Sequence, residues 1–543
     1  MMLDETRETL GDGERLMGRG RDARDNFPSI AGFALLALLL ACLLGRMMSM
    51  PLGRDENLFV TVSALSSGAD IYRDLGYNHL PLMPWLLGAL YWITGAVRFL
   101  LMGRLLVFAG WIAALFALWF IARVTRAGAW GFLASAVLLL CNVLLLGPPG
   151  MLATNNFLPV PLTLFAIGFL IWGLDRDQPS ALYCLIAGIF ATGAIALKVN
   201  YIFLAPFLAL ATVLAPTARP LGRRLMQGTL PLALGGLFAG LPVLLAMASD
   251  PQAFFAHTLR YFTQVQPAYW TVSTEPKVMS VAQKVLLGED VWTANATLLT
   301  LAGITVLAAL PFVRSGAQAG IATLLSWPVV ITAALAAMGF VMAFVPSPSF
   351  PQYFVPPIPF LLVLLLLLRA RTAPIDRPAA DAVLIALMLV ALLCAMSRLG
   401  PGLVSLARPA RWEPVSLHRD ARALAREAGF SGGETAVALT PAIALEGGFT
   451  VPHEFAAGQF VYRVGDLIAP EDRQYYTTTS PTRLVAFLNS APPPAILVNG
   501  DEPLERAFAD YARARGYTEF VSRGKHRQLH LFRRPGLTAP AAR

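Results

Sequence analysis

Residues 80–97, LPLMPWLLGALYWITGAV, decide how this chain lies across a bilayer. The stretch is apolar enough to be a membrane span, yet it holds two prolines (Pro81, Pro84) and two glycines (Gly88, Gly95). Eleven other apolar runs fall at roughly 29–49, 99–122, 127–147, 157–174, 180–198, 201–215, 226–247, 293–313, 320–344, 352–369 and 380–398. Each is near the ~20 residues that a helix needs to cross a bilayer. If 80–97 lies along the interface, the loops carrying Arg123/Arg126, Arg219/Arg223/Arg224 and Arg369/Arg371/Arg377 share the side of the Arg-rich N-terminus. If it spans, those loops move to the opposite side, against the rule that cytoplasmic loops are basic. The reading that follows is a juxtamembrane helix with Trp85, Tyr91 and Trp92 at headgroup depth.

Composition agrees with the membrane class. Of 543 residues, 56% are hydrophobic and only 14% are charged, where a soluble chain is nearer ~25% charged. The formal charge of +9 sits between apolar runs, as loop anchors do, and gives no basic stripe for nucleic acid. All four cysteines (Cys42, Cys141, Cys184, Cys394) lie inside apolar runs, without metal-ligand spacing. The tail has none, so it folds without disulfides on either side of a membrane.

The expected architecture is an α-helical polytopic membrane protein of about eleven spans with a small C-terminal α/β domain. Its parts are a cytoplasmic segment at 1–28, a membrane domain at 29–400 and an extracytoplasmic tail at 405–543. The polar first residues mix Arg with Asp and Glu, so the first span reads as an uncleaved signal anchor. Outer loops fall at 50–98 and 248–292. In the tail, HRDARALAREAG (418–429) and 502–515 read as amphipathic helices. TAVAL (435–439), AILVN (495–499) and QLHLF (528–532) read as strands. The tail holds no Gly-rich phosphate loop or metal cluster, which suits a lid or scaffold.

Chemistry concentrates in the first outer loop. GRDENLF puts Asp55 and Glu56 just past the first span, and IYRDLGYNHLPLMPW adds Arg73, Asp74, Tyr77, Asn78 and His79. Acid, base and cation at one membrane surface are what general acid–base chemistry on a lipid-linked substrate needs. The same residues also suit a solvated loop with a proline-initiated helix.

The run GRDE, then SGADIYRDLGYNHLPLMPWLLGALYWITG, then Arg104 in the next span, resembles the GT-C superfamily of membrane glycosyltransferases. The protein O-mannosyltransferases and lipid A aminoarabinose transferases are the members it is most similar to. ALKVNYIFLAPFLAL around Lys198 is similar to the family's Lys-bearing segment, and PQYFVPPIPFLLVLL (351–365) to its late Tyr-x-x-Pro-x-x-Pro helix. The resemblance touches most of 50–400, though only the first-loop pattern is specific.

The resemblance implies transfer of a sugar from a polyprenyl-phosphate donor to a lipid, glycan or protein acceptor on the outer face, with inversion. Asp55 would be the base, and Glu56 would orient acceptor or base, or help hold a divalent metal. Arg73, His79, Arg104 and Lys198 would be candidates to meet the phosphate charge. Near span ends, Arg104 and Lys198 equally suit snorkelling cations, and His79 equally suits a helix cap. Tyr77, Gln352 and Tyr353 are further candidate substrate contacts. Relatives often carry a second acid where GPPGMLATNNFLPVP (147–161) has Asn155 and Asn156. Asparagine can bond sugar hydroxyls but cannot serve as a base or neutralise a metal, which speaks against a tightly bound cation. The competing class is a transporter or lipid flippase, which should carry ionisable groups or broken helices at mid-membrane.

Overall fold

The computed structural model describes residues 29–174, 180–215, 219–500 and 502–537. The expected cytoplasmic segment 1–28 lies outside them. The chain is a polytopic helical membrane protein with a small C-terminal α/β unit. Among the described residues seven helices are long and apolar enough to cross a bilayer: Ile30–Ser49, Phe99–Thr125, Leu221–Ser249, Asn295–Ser315, Trp327–Phe344, Pro351–Ala370 and Pro374–Leu406. Four shorter apolar helices, Gly128–Leu140, Pro159–Leu174, Ala181–Leu197 and Val199–Leu214, occupy the remaining four apolar runs. We label the first four helices α1 (Ile30–Ser49), α2 (Arg54–Leu65), α3 (Leu82–Thr94) and α4 (Phe99–Thr125).

Two helices differ from the hydropathy reading. The run 320–344 is broken at Leu325–Ser326, and Pro328 restarts the helix one residue after Trp327, a position where proline's missing N–H costs nothing. The last span runs to Leu406 with Pro401 inside it, well past the apolar stretch.

The helix α3 occupies 13 residues, a rise of about 20 Å against a hydrocarbon core of about 30 Å. It packs on α2 and leaves Trp92 79% exposed beside Ile93 and Leu86. By contrast, Ile358–Arg369 is buried on every side, as a helix at the bundle centre must be when it is apolar all round.

Close crossings depend on glycine. A Cβ on Gly45 would lie 1.8 Å from the Gly402 carbonyl oxygen, and one on Gly402 would lie 1.9 Å from that of Cys42. The first and last spans therefore touch backbone to backbone. Gly188 and Gly235 do the same for Ala181–Leu197 against Leu230–Ser249. Small residues permit such approach where lipid offers helices no hydrophobic drive to associate.

The C-terminal unit holds a four-stranded sheet of β1 (Ala436–Val437), β2 (Ala495–Asn499), β3 (Thr518–Val521) and β4 (Leu529–Arg533), in the order β1-β2-β4-β3. β1 runs parallel to β2, which pairs antiparallel with β4, Leu497 facing Leu531. Helices Glu413–Glu427 and Arg506–Ala514 pack their apolar residues into the same core. The edge strand β3, Thr-Glu-Phe-Val, is mostly exposed and so lacks the apolar alternation that marks a buried strand.

This unit sits over α2 and the start of α4. Buried Glu446 accepts from the Leu100 backbone N–H at 2.8 Å and meets His418 Nδ1 at 2.6 Å. It therefore caps the first turn of α4 from across the interface. Segments 456–476 also interlock with the helical arm Pro251–Phe255, Ala256–Val265 and Gln266–Val272. Tyr476 donates to the Ala256 carbonyl at 2.7 Å, Tyr261 to that of Phe460 at 3.0 Å, and Arg260 pairs with Asp472 at 2.7 Å.

Candidate active site

Gly53 lets the chain turn from α1 into α2, and Arg54, Asp55 and Glu56 form the first turn of α2. Carboxylates are favoured there because the first turn has unpaired N–H groups and the positive end of the helix dipole. Successive helical residues are ~100° apart, so the two acids meet different surroundings.

Glu56 is fully buried and engaged in four contacts. Its carboxylate accepts from Arg104 Nε at 2.9 Å, Arg104 Nη2 at 2.8 Å, the Ala153 N–H at 2.8 Å and the Gly53 N–H at 2.9 Å. Arg104, also fully buried, sends its other N–H groups to the carbonyls of Met47 (2.9 Å), Met50 (2.7 Å) and Pro51 (3.1 Å). All five guanidinium donors are thus spent within the protein. Arg104 ties the end of α1, the turn into α2 and α4 together and has none left for a phosphate.

Asp55 is different. Among the described residues no salt bridge or side-chain hydrogen bond engages its carboxylate. Burial pushes the carboxyl above its ordinary range, while the charges of Lys198 and then Arg463 pull it back. Neither cation closes an ion pair with it among the described residues. Asp55, His79 and Tyr353 each retain accessible surface although protein surrounds them. A hollow of about 560 Å³ between Arg411, Arg419 and Lys525 holds none of these residues.

Lys198 lies in an extended break between Ala181–Leu197 and Val199–Tyr201. Its Nζ donates to Asn156 Oδ1 at 2.5 Å and stands 5.4 Å from the Tyr353 ring centre. Burial lowers its ammonium to about 8, with the Asp55 charge opposing. Asn155 Nδ2 donates to the Leu197 carbonyl at 2.8 Å, so the two asparagines fix the lysine's break and its ammonium. Gln352, next to Tyr353, is half-buried without a side-chain hydrogen bond among the described residues.

The first-loop candidates divide. His79 Nδ1 lies 2.7 Å from Asn78 Oδ1; that oxygen only accepts, so Nδ1 carries the proton and Nε2 is an acceptor. Burial, then Lys198, lowers the imidazole to about 3, and His79 is a neutral group rather than a phosphate cation. Tyr77 is buried against Phe59 and His79 (ring centres 6.0 and 5.8 Å), its hydroxyl without a partner. Arg73 stands apart, 65% exposed and paired with Asp74 at 3.4 Å.

Arg463 and Tyr261 join the cluster without any sequence signal that singled them out. Arg463 leaves the short helix Gln459–Tyr462 of the tail and lies over Tyr269 (4.6 Å) and Trp270 (5.4 Å). Its Nη1 is 3.9 Å from Glu275, and its buried Nε has no partner. Glu275 in turn accepts from Tyr269 at 2.7 Å and from Arg54 at 3.1 Å.

The donor set does not fit a divalent cation. Asp55 is the single free carboxylate, flanked by two cations, while Glu56, Asn155 and Asn156 are occupied. Among the described residues no group of three potential metal ligands gathers.

This arrangement of membrane helices, first-loop helix and docked α/β unit is shared with solved structures. The structure is similar to that of ArnT from Cupriavidus metallidurans bound to undecaprenyl phosphate, with 15% identity and a TM-score of 0.58. The match covers 93% of this chain and 98% of that one. The apo form of ArnT matches over the same shares with a TM-score of 0.59 and 15% identity. Neither a protein-family model nor a curated protein sequence matches the chain.

Proposed function

We propose that this protein is a glycosyltransferase that moves a sugar from a polyprenyl-phosphate donor to a lipid, glycan or protein acceptor. The reaction takes place on the extracytoplasmic face, with the N-terminus in the cytoplasm, within a membrane domain at 29–400 capped by the tail at 405–543. The observation that carries the reading is the carboxylate of Asp55, unpaired among the described residues and held in the first turn of a helix where the Lys198 charge acts on it. The undecaprenyl phosphate in the similar ArnT structure supports a lipid-phosphate donor.

In the proposed step the acceptor hydroxyl donates its proton to Asp55 as its oxygen attacks the anomeric carbon. The bond from that carbon to the phosphate oxygen breaks, and the electron pair leaves with the polyprenyl phosphate. A single displacement inverts the centre. Lys198, aimed by Asn156 and supported by Tyr353, meets the charge that grows on the leaving phosphate. Glu56 and Arg104 act as positioning residues: they fix the turn that presents Asp55. Tyr77, the Nε2 of His79 and Gln352 offer neutral polar contacts to sugar hydroxyls.

A transporter should place its charges at mid-membrane; here Asp55, Lys198 and Arg463 gather at the end of the bundle that carries the α/β unit. The test is sugar transfer in membranes supplied with polyprenyl-phosphate sugar. Asp55→Asn should abolish transfer while leaving the protein folded; full transfer by this variant would refute the assignment.

A further inference from the structure

The leaving phosphate of the proposed reaction has two non-bridging oxygens and gains a full charge as the glycosidic bond breaks, so one ammonium is a sparse counter-charge. The other cations that the sequence offers are accounted for: Arg104 spends every donor inside the protein, His79 is a neutral acceptor, and Arg73 points away to Asp74. A second cation does face Asp55, and the tail supplies it.

We infer that Arg463 is a substrate ligand: together with Lys198 it clamps the donor phosphate, so that the C-terminal α/β unit contributes a residue to the active site rather than only covering it. Three independent features support this. The guanidinium is buried, yet its Nε–H has no acceptor, a costly state for a charged donor unless a ligand fills it. The carboxylate it pairs with among the described residues, Glu275, is 3.9 Å away and already takes Tyr269 and Arg54. The ring of Tyr269 beneath it, at 4.6 Å, holds the guanidinium plane in place by a cation–π contact while its Nε–H keeps no acceptor. A planar guanidinium held in place with an unfilled N–H can turn that donor to a phosphate oxygen.

The inference rests on the proposed donor class, and its test separates the two. Full-length protein in detergent is titrated with undecaprenyl phosphate and, in parallel, with undecaprenol, which has the same chain and no phosphate. The unsubstituted protein should prefer the phosphate. Arg463→Met, which keeps the stacking volume, should weaken undecaprenyl phosphate binding at least tenfold and leave undecaprenol binding unchanged. Arg463→Lys should recover part of the loss, and Lys198→Met should weaken the phosphate alone as well. If Arg463→Met binds undecaprenyl phosphate as the parent does while Lys198→Met does not, Arg463 is no ligand although the donor reading stands. If the parent itself does not distinguish phosphate from alcohol, the donor reading fails. A measurement that needs no variant uses undecaprenyl phosphate carrying a diazirine beside the phosphate. Photolysis should label residues 459–464; labelling confined to the membrane helices would overturn the inference even if Arg463→Met fails to fold.

Discussion

Glu56→Gln separates the two acids of the GRDE turn. In the parent both oxygens of Glu56 are filled: two N–H groups of Arg104, one of Ala153 and one of Gly53 converge on them at 2.8–2.9 Å. Glutamine keeps one oxygen and puts an NH₂ where two of those donors point. It also removes the counter-charge of a guanidinium that has no exposed surface. Breaking a buried pair from one side costs about 3–5 kcal/mol, because a charge is stranded without water. The loss should fall where the pair acts, at the junction of α1, α2 and residues 150–156. The assay is thermal unfolding in detergent together with amide hydrogen exchange. The expected result is a lower midpoint and faster exchange across 47–57 and 150–156. Glu56→Leu with Arg104→Met should recover part of the stability, since both desolvated charges leave together. If Glu56→Gln matches the parent in midpoint and exchange and still abolishes sugar transfer, Glu56 acts on substrate and the positioning account is wrong.

Further outcomes follow from other parts of the structure. Transfer should have a bell-shaped pH profile. It rises as Asp55, held above the ordinary carboxylate range by burial, loses its proton, and falls as pH climbs past about 8, where Lys198 loses its charge; Lys198→Arg should move the alkaline limb upward. Asn156→Ala removes the acceptor that aims Lys198 and should cut transfer roughly ten- to a hundredfold, the usual scale of an orienting hydrogen bond to a charged group, with little change in thermal midpoint. Gly188→Val places a Cβ 2.0 Å from the Leu232 carbonyl oxygen and should cost about 1–3 kcal/mol by overpacking, read as a lower midpoint. Glu446→Ala removes the cap on Leu100, a loss of about 0.5–2 kcal/mol, and limited proteolysis should release the tail more readily.

The spans were legible because hydropathy is a property of each segment by itself: each of the eleven apolar runs holds an apolar helix, with 320–344 broken at Leu325–Ser326. The first loop was legible because its chemistry is packed within Arg54–Pro84. What the sequence left open depends on distance and direction. Asp55 and Glu56 are neighbours of the same type, and only the turn of α2 gives one a guanidinium and leaves the other unpaired among the described residues. Arg104 finds Glu56 across 48 residues, with no local spacing to announce it. Arg463 sits in a short irregular stretch of the tail, VYRVGD, where no periodicity assigns it a face. β3 was missed because an exposed edge strand lacks an apolar side.

The backbone contact of Gly45 with Gly402 also sets an order of events during synthesis. The first span enters the membrane long before its partner exists, and Arg46 must wait for the Arg398 carbonyl, 3.0 Å away in the finished protein. Until the last helix arrives, the end of α1 that leads into Asp55 has one flank open. A ribosome-bound chain that has not reached about residue 400 therefore leaves that flank of α1 uncovered. That flank closes only when the whole membrane bundle has been made.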